Sequence, residues 1–258
     1  MSSMTITDAQ KRQFAEEGYL KIPGAIPKDM IETSLRAVNH SIGNVGIGGE
    51  DPSRHRSGFF CAELLNAPFI LDMYNKTPVM QIAESLMGKG NVLPVERAKT
   101  YPRFPLPLGQ EPSPPRGHID GIGSGTNGTA KGDYKRSFTA FAVIYLVDVP
   151  EPYSGNFTVW PQSHRFFADY FTEHGHEVLA NGMPRPDLPK DPIMITGNAG
   201  DLILAHHQVV HGACLNASPN VRLATITRLK HKHADEIGKD AYTNIWREWS
   251  GVRDVIKG

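Results

Sequence analysis

The sequence between Val92 and Leu229 is divided into short β-prone runs that are separated by proline and glycine. The runs are Val92–Tyr101, Phe138–Val147, Asn156–Trp160, Ile193–Ile195, Asp201–Ala205 and Val221–Leu229. Runs of this kind favour a sheet-rich core. The alternation of apolar and polar residues is imperfect in the second run and in residues 201–210, which predicts strands that are buried on both faces of a double sheet.

The segment before these runs has apolar residues at helical spacing instead. Three helices are expected, over residues 8–17, around Met30 to Val38, and from Thr77 to Gly88. Thr7 and Gln10 form a capping-box pattern at the start of the first helix. Tyr19–Ile22 is predicted as a short strand that follows it.

Together these patterns predict a mostly β fold with flanking helices, that is, a double-stranded β-helix (a cupin-like jelly roll) with N-terminal helices. We expect one domain over residues 1–258, because chains of this length commonly form a single large domain. Residues 1–91 are expected to form a mainly helical part, residues 92–230 the jelly-roll core, and residues 231–258 a C-terminal extension.

Charge, hydropathy and cysteine content exclude several classes of function. Lys plus Arg and Asp plus Glu both number 27, and there is no basic run, so the footprint of a nucleic-acid-binding protein is missing. No apolar stretch approaches the roughly eighteen residues of a membrane span, and the N-terminus has no signal-peptide pattern. Cys61 and Cys214 form no CxxC pair, which argues against disulfide and thiolate-zinc frameworks. We expect a soluble, cytoplasmic protein that acts on a small molecule; the sequence leaves its oligomeric state open.

Two long irregular segments flank His118 and Asp120. Residues 102–116 contain six prolines, and residues 121–136 are rich in Gly, Thr and Asn. Loops of this length in a compact domain usually act as lids or binding loops. We therefore expect a binding site around His118 and Asp120.

These two residues are a candidate pair of metal ligands. In an extended segment, residues two apart project to the same side, about 7 Å apart along the chain. A third ligand must come from elsewhere, and His211 is the candidate. Two histidines and one carboxylate occupy one face of an octahedron and leave three positions for a cosubstrate and oxygen, as non-haem Fe(II) oxygenases require.

A turn-forming segment, residues 216–219, follows His211 and precedes the run Val221–Leu229. If the flanking segments form a hairpin centred on Asn216 and Ala217, His211 and Arg222 lie nearly opposite each other, with Cβ atoms about 5 Å apart. The guanidinium fork of arginine suits bidentate capture of a carboxylate. The sequence thus predicts an arginine beside the metal, suited to the far carboxylate of 2-oxoglutarate.

Other ligand sets stay open at this point, because the chain has eleven histidines and an H-x-D triplet often arises by chance. His206 and His207 compete with His211 for the third position. His174 and His176 form an H-x-H pair of the kind found in cupin-like zinc or manganese sites, although polar neighbours are more typical of a solvated loop.

Four motifs occur in order along the chain. They are Gly117-His118-Ile119-Asp120, the segment GNFTVWPQSH from Gly155 to His164, the turn Ala199-Gly200-Asp201, and His211-Gly212 with Arg222 eleven residues on. Together they resemble the phytanoyl-CoA dioxygenase family of iron- and 2-oxoglutarate-dependent oxygenases. The family's second motif typically reads G-x-L-x-V-x-P-G-S-H, and Gln162 stands here in place of a glycine. FAEEGYL, from Phe14 to Leu20, is similar to the family's helix-to-strand opening.

The resemblance implies that His118, Asp120 and His211 bind iron and that Arg222 anchors 2-oxoglutarate. The family often has a hydroxyl residue two positions after the distal histidine to assist the anchor, and Ala213 stands there instead.

The resemblance also points to further contacts in the pocket. Lys99 or Arg97 is placed to reach the cosubstrate or an anionic substrate, with a solvated strand face as the alternative. Phe141 and Tyr145 lie where the family lines its pocket with bulky groups, and core packing accounts for them equally well. His164 is expected to pack a turn near the sheet edge.

The activity that the resemblance implies uses Fe(II), 2-oxoglutarate and O2. It couples oxidative decarboxylation of 2-oxoglutarate to hydroxylation, desaturation or a related oxidation of a small molecule. Asp120 disfavours halogenation, because related halogenases carry a small residue in place of the carboxylate. The substrate stays open, since family members recognise very different molecules through variable loops. Several basic residues in candidate lid segments could bind an anionic group, with solvated loop side chains as the alternative: Arg54, His55, Arg56, Arg103 and Arg116.

Two other classes of function fit the same residues. A cupin-like, metal-dependent hydrolase or isomerase would keep the three ligands but make no use of Arg222. A catalytically silent protein would bind 2-oxoglutarate without turnover.

Overall fold

A computed structural model describes residues 5–45, 60–120, 138–176, 178 and 184–256. The helices are α1 (Asp8–Glu17), α2 (Lys28–Val45), α3 (Pro68–Asn75), α4 (Val79–Met87), α5 (Ser163–His174), α6 (Ala234–Ile237) and α7 (Ser250–Ile256). The strands are β1 (Tyr19–Ile22), β2 (Lys99–Arg103), β3 (Ala140–Tyr145), β4 (Phe157–Val159), β5 (Ile193–Met194), β6 (Leu202–His206), β7 (His211–Ala213) and β8 (Arg222–Leu229). The glycine-rich loop predicted at 121–136 lies outside the described residues, and so do the candidate anion-binding residues Arg54, His55 and Arg56.

The strands form two antiparallel sheets. A five-stranded sheet has the order β1-β6-β3-β8-β2, and a three-stranded sheet has the order β5-β4-β7. Every residue of β3 and β6 is buried, which confirms the prediction of strands covered on both faces. One face of the large sheet packs against the helices, and the other faces the small sheet across a second apolar cluster. The predicted jelly roll with flanking helices is confirmed.

The N-terminal helix leads directly into the large sheet. The Thr7 side chain accepts a hydrogen bond from the Gln10 N–H, and the Gln10 side chain accepts one from the Thr7 N–H, so the predicted capping box is present. Gly18 ends α1 in the left-handed conformation, with φ +82°, which glycine adopts without steric cost. β1 then pairs with β6 along its whole length.

The helices at the two ends of the chain share one core. Phe14 of α1 stacks near Trp249, with ring centroids 4.9 Å apart, and Val252 of α7 belongs to the same apolar cluster. The C-terminal extension therefore covers the outer face of the large sheet together with α1 and α4. Among the described helices, none has the length and hydropathy needed to cross a bilayer.

The predicted hairpin between His211 and Arg222 is wrong. β7 pairs with β4 in the small sheet, whereas β8 pairs with β3 and β2 in the large sheet. The connection after β7 crosses between the sheets, and the Asn216 side chain holds it there by donating to the carbonyls of Arg103 and Asn220, both at 2.7 Å. His211 and Arg222 therefore belong to opposite sheets.

The sequence prediction also differs from the structure in several helices and in the start of β2. The α2 helix extends beyond the predicted Met30 to Val38, and α3, α6 and α7 are additional helices. β2 begins at Lys99 rather than Val92, because Val92 makes only an isolated bridge with His231 and Pro94 has no N–H to donate. The α5 helix was not predicted, since the Pro161-Gln162 pair reads as a turn. It starts immediately after that turn, with Gln162 at φ +66°.

His164, in the first turn of α5, is buried against α1. Its Nε2 lies 3.2 Å from the Ala15 carbonyl, and its Nδ1 has no hydrogen-bond partner among the described residues. Burial lowers the pKa of His164 from 6.5 to about 4. The ring is therefore neutral in the folded protein at neutral pH.

This burial predicts a pH dependence of stability. Between pH 6.5 and about 4, the unfolded chain binds a proton at His164 and the folded chain does not. The contribution of the neutral ring to the free energy of unfolding is therefore complete above pH 6.5 and decreases as the pH is lowered. The slope from one such group is at most about 1.4 kcal/mol per pH unit. We expect His164→Gln to remove this contribution in urea unfolding of the metal-free protein at pH 7, 6 and 5. His40→Gln, at an exposed position of α2, should keep it, and equal slopes in both variants would contradict the prediction.

Candidate metal centre

One carboxylate and two imidazoles meet between the sheets. Ligand atoms of His118, Asp120 and His211 all lie within 4.8 Å of one another, and His118 Nε2 is 3.2 Å from Asp120 Oδ1. Within the part of the chain that the structure describes, no other group of three potential ligands is this close. The donor set fits the 2-His-1-carboxylate type of metal site.

Backbone pairing fixes the two histidines side by side. The N–H of each donates to the carbonyl of the other, at 2.9 and 3.0 Å, in an isolated antiparallel bridge. Ile119 points into an apolar cluster with Val210, so His118 and Asp120 face the opposite side. Gly212 permits the close approach, because a Cβ there would lie 2.4 Å from the Arg116 carbonyl oxygen.

His211 is prepared to bind a metal. Burial, followed by the interaction with His118, lowers the pKa of His211 to about 4, so the ring is neutral at pH 7, as metal binding requires. Its Nδ1 lies 3.0 Å from the Val209 carbonyl. A proton on Nδ1 is donated to that carbonyl, which leaves Nε2 as the ligand atom.

Asp120 is held as a carboxylate. Burial by itself would raise the pKa of Asp120, but the hydrogen bond with His118 and the electrostatic interactions with His211 and Arg228 outweigh burial, and the pKa is lowered. Arg228 Nη2 lies 2.5 Å from Asp120 Oδ2. One carboxylate oxygen is thus oriented toward His118 and the other toward Arg228.

His206 and His207, the competing third ligands, lie in an aromatic cluster away from this group. The ring of His206 stacks on Trp249 with centroids 5.1 Å apart, and its Nε2 is 3.0 Å from the Ile245 carbonyl. His207 packs against His206, with ring centroids 4.2 Å apart. These two histidines serve the core beneath the C-terminal extension.

The His174-x-His176 pair ends α5 and forms no metal site in the described chain. The His174 ring packs on Tyr170 at 4.4 Å, and the His176 ring packs on Phe171 at 5.7 Å. His174 is exposed, as expected for a residue in a solvated loop, but His176 is half-buried against aromatic rings.

The candidate metal ligands border a cavity of about 980 Å³ between the two sheets. The other predicted site residues, Lys99, Phe141 and Arg222, line the same cavity. The Phe141 ring lies 4.3 Å from the His211 ring, centroid to centroid. Tyr145 is instead part of the core, where its hydroxyl donates to the Ile195 carbonyl and accepts from the Phe157 N–H.

One face of the β2–β8 pair carries most of the cavity's positive charge. Because side chains alternate along a strand, every second residue of each strand faces the cavity. Those that line it are Lys99, Tyr101 and Arg103 on β2, and Arg222, Ile226 and Arg228 on β8, whereas Ala224 belongs to the apolar cluster between the sheets. The register pairs Arg103 with Arg222 and Lys99 with Ile226, which separates the cations into two groups with Tyr101 and Ile226 between them.

The first group, Arg103 with Arg222, forms an inner arginine pair. Arg222 Nε donates to the Gly155 carbonyl at 2.6 Å and Nη1 to the Tyr101 carbonyl at 2.9 Å. Gly155 packs against both arginines, since a Cβ there would lie 2.7 Å from Arg103 Cβ and 3.2 Å from Arg222 Cβ. Neither arginine forms a salt bridge with a carboxylate of the described residues.

The inner pair is electrostatically strained. Burial lowers the pKa of Arg222, and burial followed by repulsion from Arg222 lowers the pKa of Arg103 to about 9. Both guanidinium groups stay protonated at pH 7, so two positive charges face the cavity together. An arrangement of this kind suits a carboxylate ligand.

Arg228 is the site residue that the sequence prediction missed. Its guanidinium carbon lies 4.8 Å from the centroid of the Phe138 ring, in addition to the contact with Asp120. The signal was present in the sequence, because the alternation that places Arg222 and Ile226 on the cavity face continues to Arg228. What the sequence lacked was the position of Asp120 relative to this strand.

No protein-family model matches the sequence, and no curated protein matches it. Several solved structures have a similar fold. The epimerase SnoN, in complex with Fe³⁺, alpha-ketoglutarate and nogalamycin RO, superposes with a TM-score of 0.57 at 16% identity, covering 87% of this chain and 83% of SnoN. HygX from Streptomyces hygroscopicus, with nickel and 2-oxoglutarate bound, gives 0.56 at 17% identity, with 89% and 88% covered. EctD from S. alaskensis, with 2-oxoglutarate and 5-hydroxyectoine, gives 0.57 at 15% identity, with 89% and 77% covered.

The chain has the fold of these enzymes. At identities of 15–17% the likeness extends to the fold, and the activity must be argued from the residues of the site.

The contact between Arg228 and Asp120 predicts a role in metal affinity. We expect Arg228→Gln to weaken Fe(II) or Co(II) binding about tenfold or more, because residues that orient a metal ligand typically contribute that much. Anaerobic titration calorimetry measures the effect. Arg247→Gln is the matched control, since Arg247 also pairs with an aspartate, Asp240, at 2.8 Å but on the exposed surface. Unchanged affinity in Arg228→Gln would show that the contact does not orient Asp120.

Proposed function

We propose that this protein is a non-haem iron(II) enzyme that couples oxidative decarboxylation of 2-oxoglutarate to the oxidation of a small molecule. One observation carries the proposal: the 2-His-1-carboxylate group shares a cavity with an arginine pair that has no acidic partner among the described residues. A metal site alone fits many reactions. A metal site together with a separate carboxylate-binding site fits a dicarboxylate cosubstrate.

The chain's own groups suggest how each part of the cosubstrate is held. His118, Asp120 and His211 would hold the iron, and Arg228 fixes the orientation of Asp120. The far carboxylate of 2-oxoglutarate would bind to the inner arginine pair. Bound Fe(II) would supply the activation of O2 and the oxidation of the cosubstrate.

Backbone carbonyls hold the Arg222 guanidinium in place. Two of its guanidinium nitrogens donate to backbone carbonyls, so the group needs little reorganisation to receive a carboxylate. Ala213 has no hydroxyl group to assist the anchor, and Arg103 would bind the carboxylate together with Arg222 instead. Phe141, against the His211 ring, would exclude water from the metal side of the cavity.

Within this class, we propose the phytanoyl-CoA dioxygenase family as the finer assignment. Two of its motifs form the bridge that joins His118 to His211. The Ala199-Gly200-Asp201 motif forms a tight turn in which Asp201 accepts hydrogen bonds from the N–H groups of Asn198 and Gly24. A cytoplasmic location is part of the proposal, and it is supported by the two free thiols.

The rival classes make less use of these residues. A metal-dependent hydrolase or isomerase needs no inner arginine pair, and two buried cations without a ligand would then be an uncompensated cost. A silent 2-oxoglutarate-binding protein needs no Arg228 to orient Asp120. Oxidation coupled to 2-oxoglutarate is the one function that uses the ligands, Arg228 and the inner pair together.

Anaerobic reconstitution tests the proposal. We expect Fe(II) and 2-oxoglutarate to give a weak visible charge-transfer absorption with the native protein and none with Asp120→Ala. On admission of O2, the native protein should release succinate. Succinate release supported equally well by Zn(II), or no spectroscopic change on adding 2-oxoglutarate, would overturn the assignment.

The inner arginine pair gives a separate prediction. Arg222→Gln should weaken 2-oxoglutarate binding roughly thirtyfold or more, since losing one partner of a buried charge pair typically costs 2–5 kcal/mol. Arg222→Lys should recover only part of the affinity, because an ammonium group lacks the fork. Fe(II) affinity measured in parallel should stay unchanged, which separates loss of the anchor from loss of the fold. Full affinity for 2-oxoglutarate in Arg222→Gln would contradict the assignment of the anchor.

A further inference from the structure

The cavity is strongly positive in a chain that has no net charge. Among the described residues that line it are seven lysine and arginine side chains and two carboxylates, those of Glu96 and Asp120, a net charge of +5. One of the seven, Lys230, is paired with Asp235 outside the cavity at 2.6 Å, which leaves a net charge of +4. A divalent metal ion and a dianionic cosubstrate cancel each other, so the excess remains after both have bound. The proposed reaction leaves most of this charge unaccounted for.

Part of the excess lies in a second group of cations, far from the inner arginine pair. We call Arg97, Lys99 and Arg228 the outer cluster. Lys99 pairs in register with Ile226, two residues before Arg228, and Thr227 donates to the Arg97 carbonyl at 2.8 Å. Along β2, Lys99 and Arg103 are separated by about 13 Å at the usual rise of a strand.

Arg228 and Arg97 both act on Lys99. Burial lowers the pKa of Lys99, and repulsion from Arg228 and then Arg97 adds to the effect. Asp120 acts on the pKa of Lys99 in the opposite direction, and its two oxygens lie next to His118 and Arg228. Like charges held together in a partly desolvated cavity are stabilised by a bound anion.

We infer that the substrate is an anionic small molecule, bearing a carboxylate or phosphate group, and that the outer cluster binds this group. The inference rests on the proposed function, because it assigns the inner pair to 2-oxoglutarate. Tyr101 and Ile226 lie between the two groups of cations on the same sheet face. They offer an apolar surface for the uncharged part of the substrate, next to the metal ligands.

Matched probe molecules test the inference. The protein is loaded anaerobically with Fe(II) and saturating 2-oxoglutarate, and calorimetry measures the binding of phenyl phosphate against phenol and of benzoate against benzamide. We expect each anion to bind about tenfold or more tightly than its neutral partner. The larger of the two preferences distinguishes a phosphate substrate from a carboxylate substrate.

The variants Arg97→Gln and Lys99→Gln assign the preference to the outer cluster. Each should reduce it about three- to tenfold, as expected for one charge pair at a partly exposed site. Lys239→Gln, at an exposed position outside the cavity, is the control. Arg97 is itself exposed, so its replacement leaves the fold intact even if Lys99→Gln does not. Equal affinity for anion and neutral partner, or a preference that both variants retain, would overturn the inference.

The two proposals can fail separately. If 2-oxoglutarate gives no spectroscopic change, the proposed function fails, and the anion preference and its loss in Arg97→Gln can still be measured. If 2-oxoglutarate binds normally but the probes show no anion preference, only the inference about the substrate fails.

Discussion

The backbone bridge between His118 and His211 is the interaction on which the site depends. Its two hydrogen bonds, 2.9 and 3.0 Å long, attach the segment that carries His118 and Asp120 to the edge of the small sheet. Because the bridge fixes which side each residue faces, it places both imidazoles and the carboxylate on the cavity side and Ile119 on the apolar side. If this segment slipped by one residue, Asp120 would turn away from the cavity.

The second organising feature is the distribution of charge on one face of the large sheet. Alternation along β2 and β8 directs four cations into the cavity. The register sorts them into the inner arginine pair and a second pair, Lys99 and Arg228, which forms the outer cluster together with Arg97. Arg228 links this face to the metal ligands through Asp120. The same sheet face therefore provides an anchor for a cosubstrate, support for a metal ligand, and a second anion-binding site.

Patterns that depend on neighbouring residues were predictable. The capping box at Thr7, the strands buried on both faces, and the projection of His118 and Asp120 to one side all follow from local periodicity. The relation between β7 and β8 was not, because a turn sequence at Asn216 is compatible with a hairpin and with a crossing between sheets. The hydrogen bonds from Asn216 to Arg103 and Asn220 select the crossing, and Arg103 is more than a hundred residues away in the sequence.

By itself, the sequence determined that the chain forms a jelly roll with helices, and it singled out His118, Asp120, His211, Lys99, Phe141 and Arg222. The tertiary structure decided that these six residues meet at one cavity, that Arg222 faces His211 from the opposite sheet, and that Arg103 and Arg228 join them. The reason is physical. Periodicity records which side of its own strand a residue occupies, whereas the distance between two strands is set by the packing of sheets whose segments lie far apart in the chain.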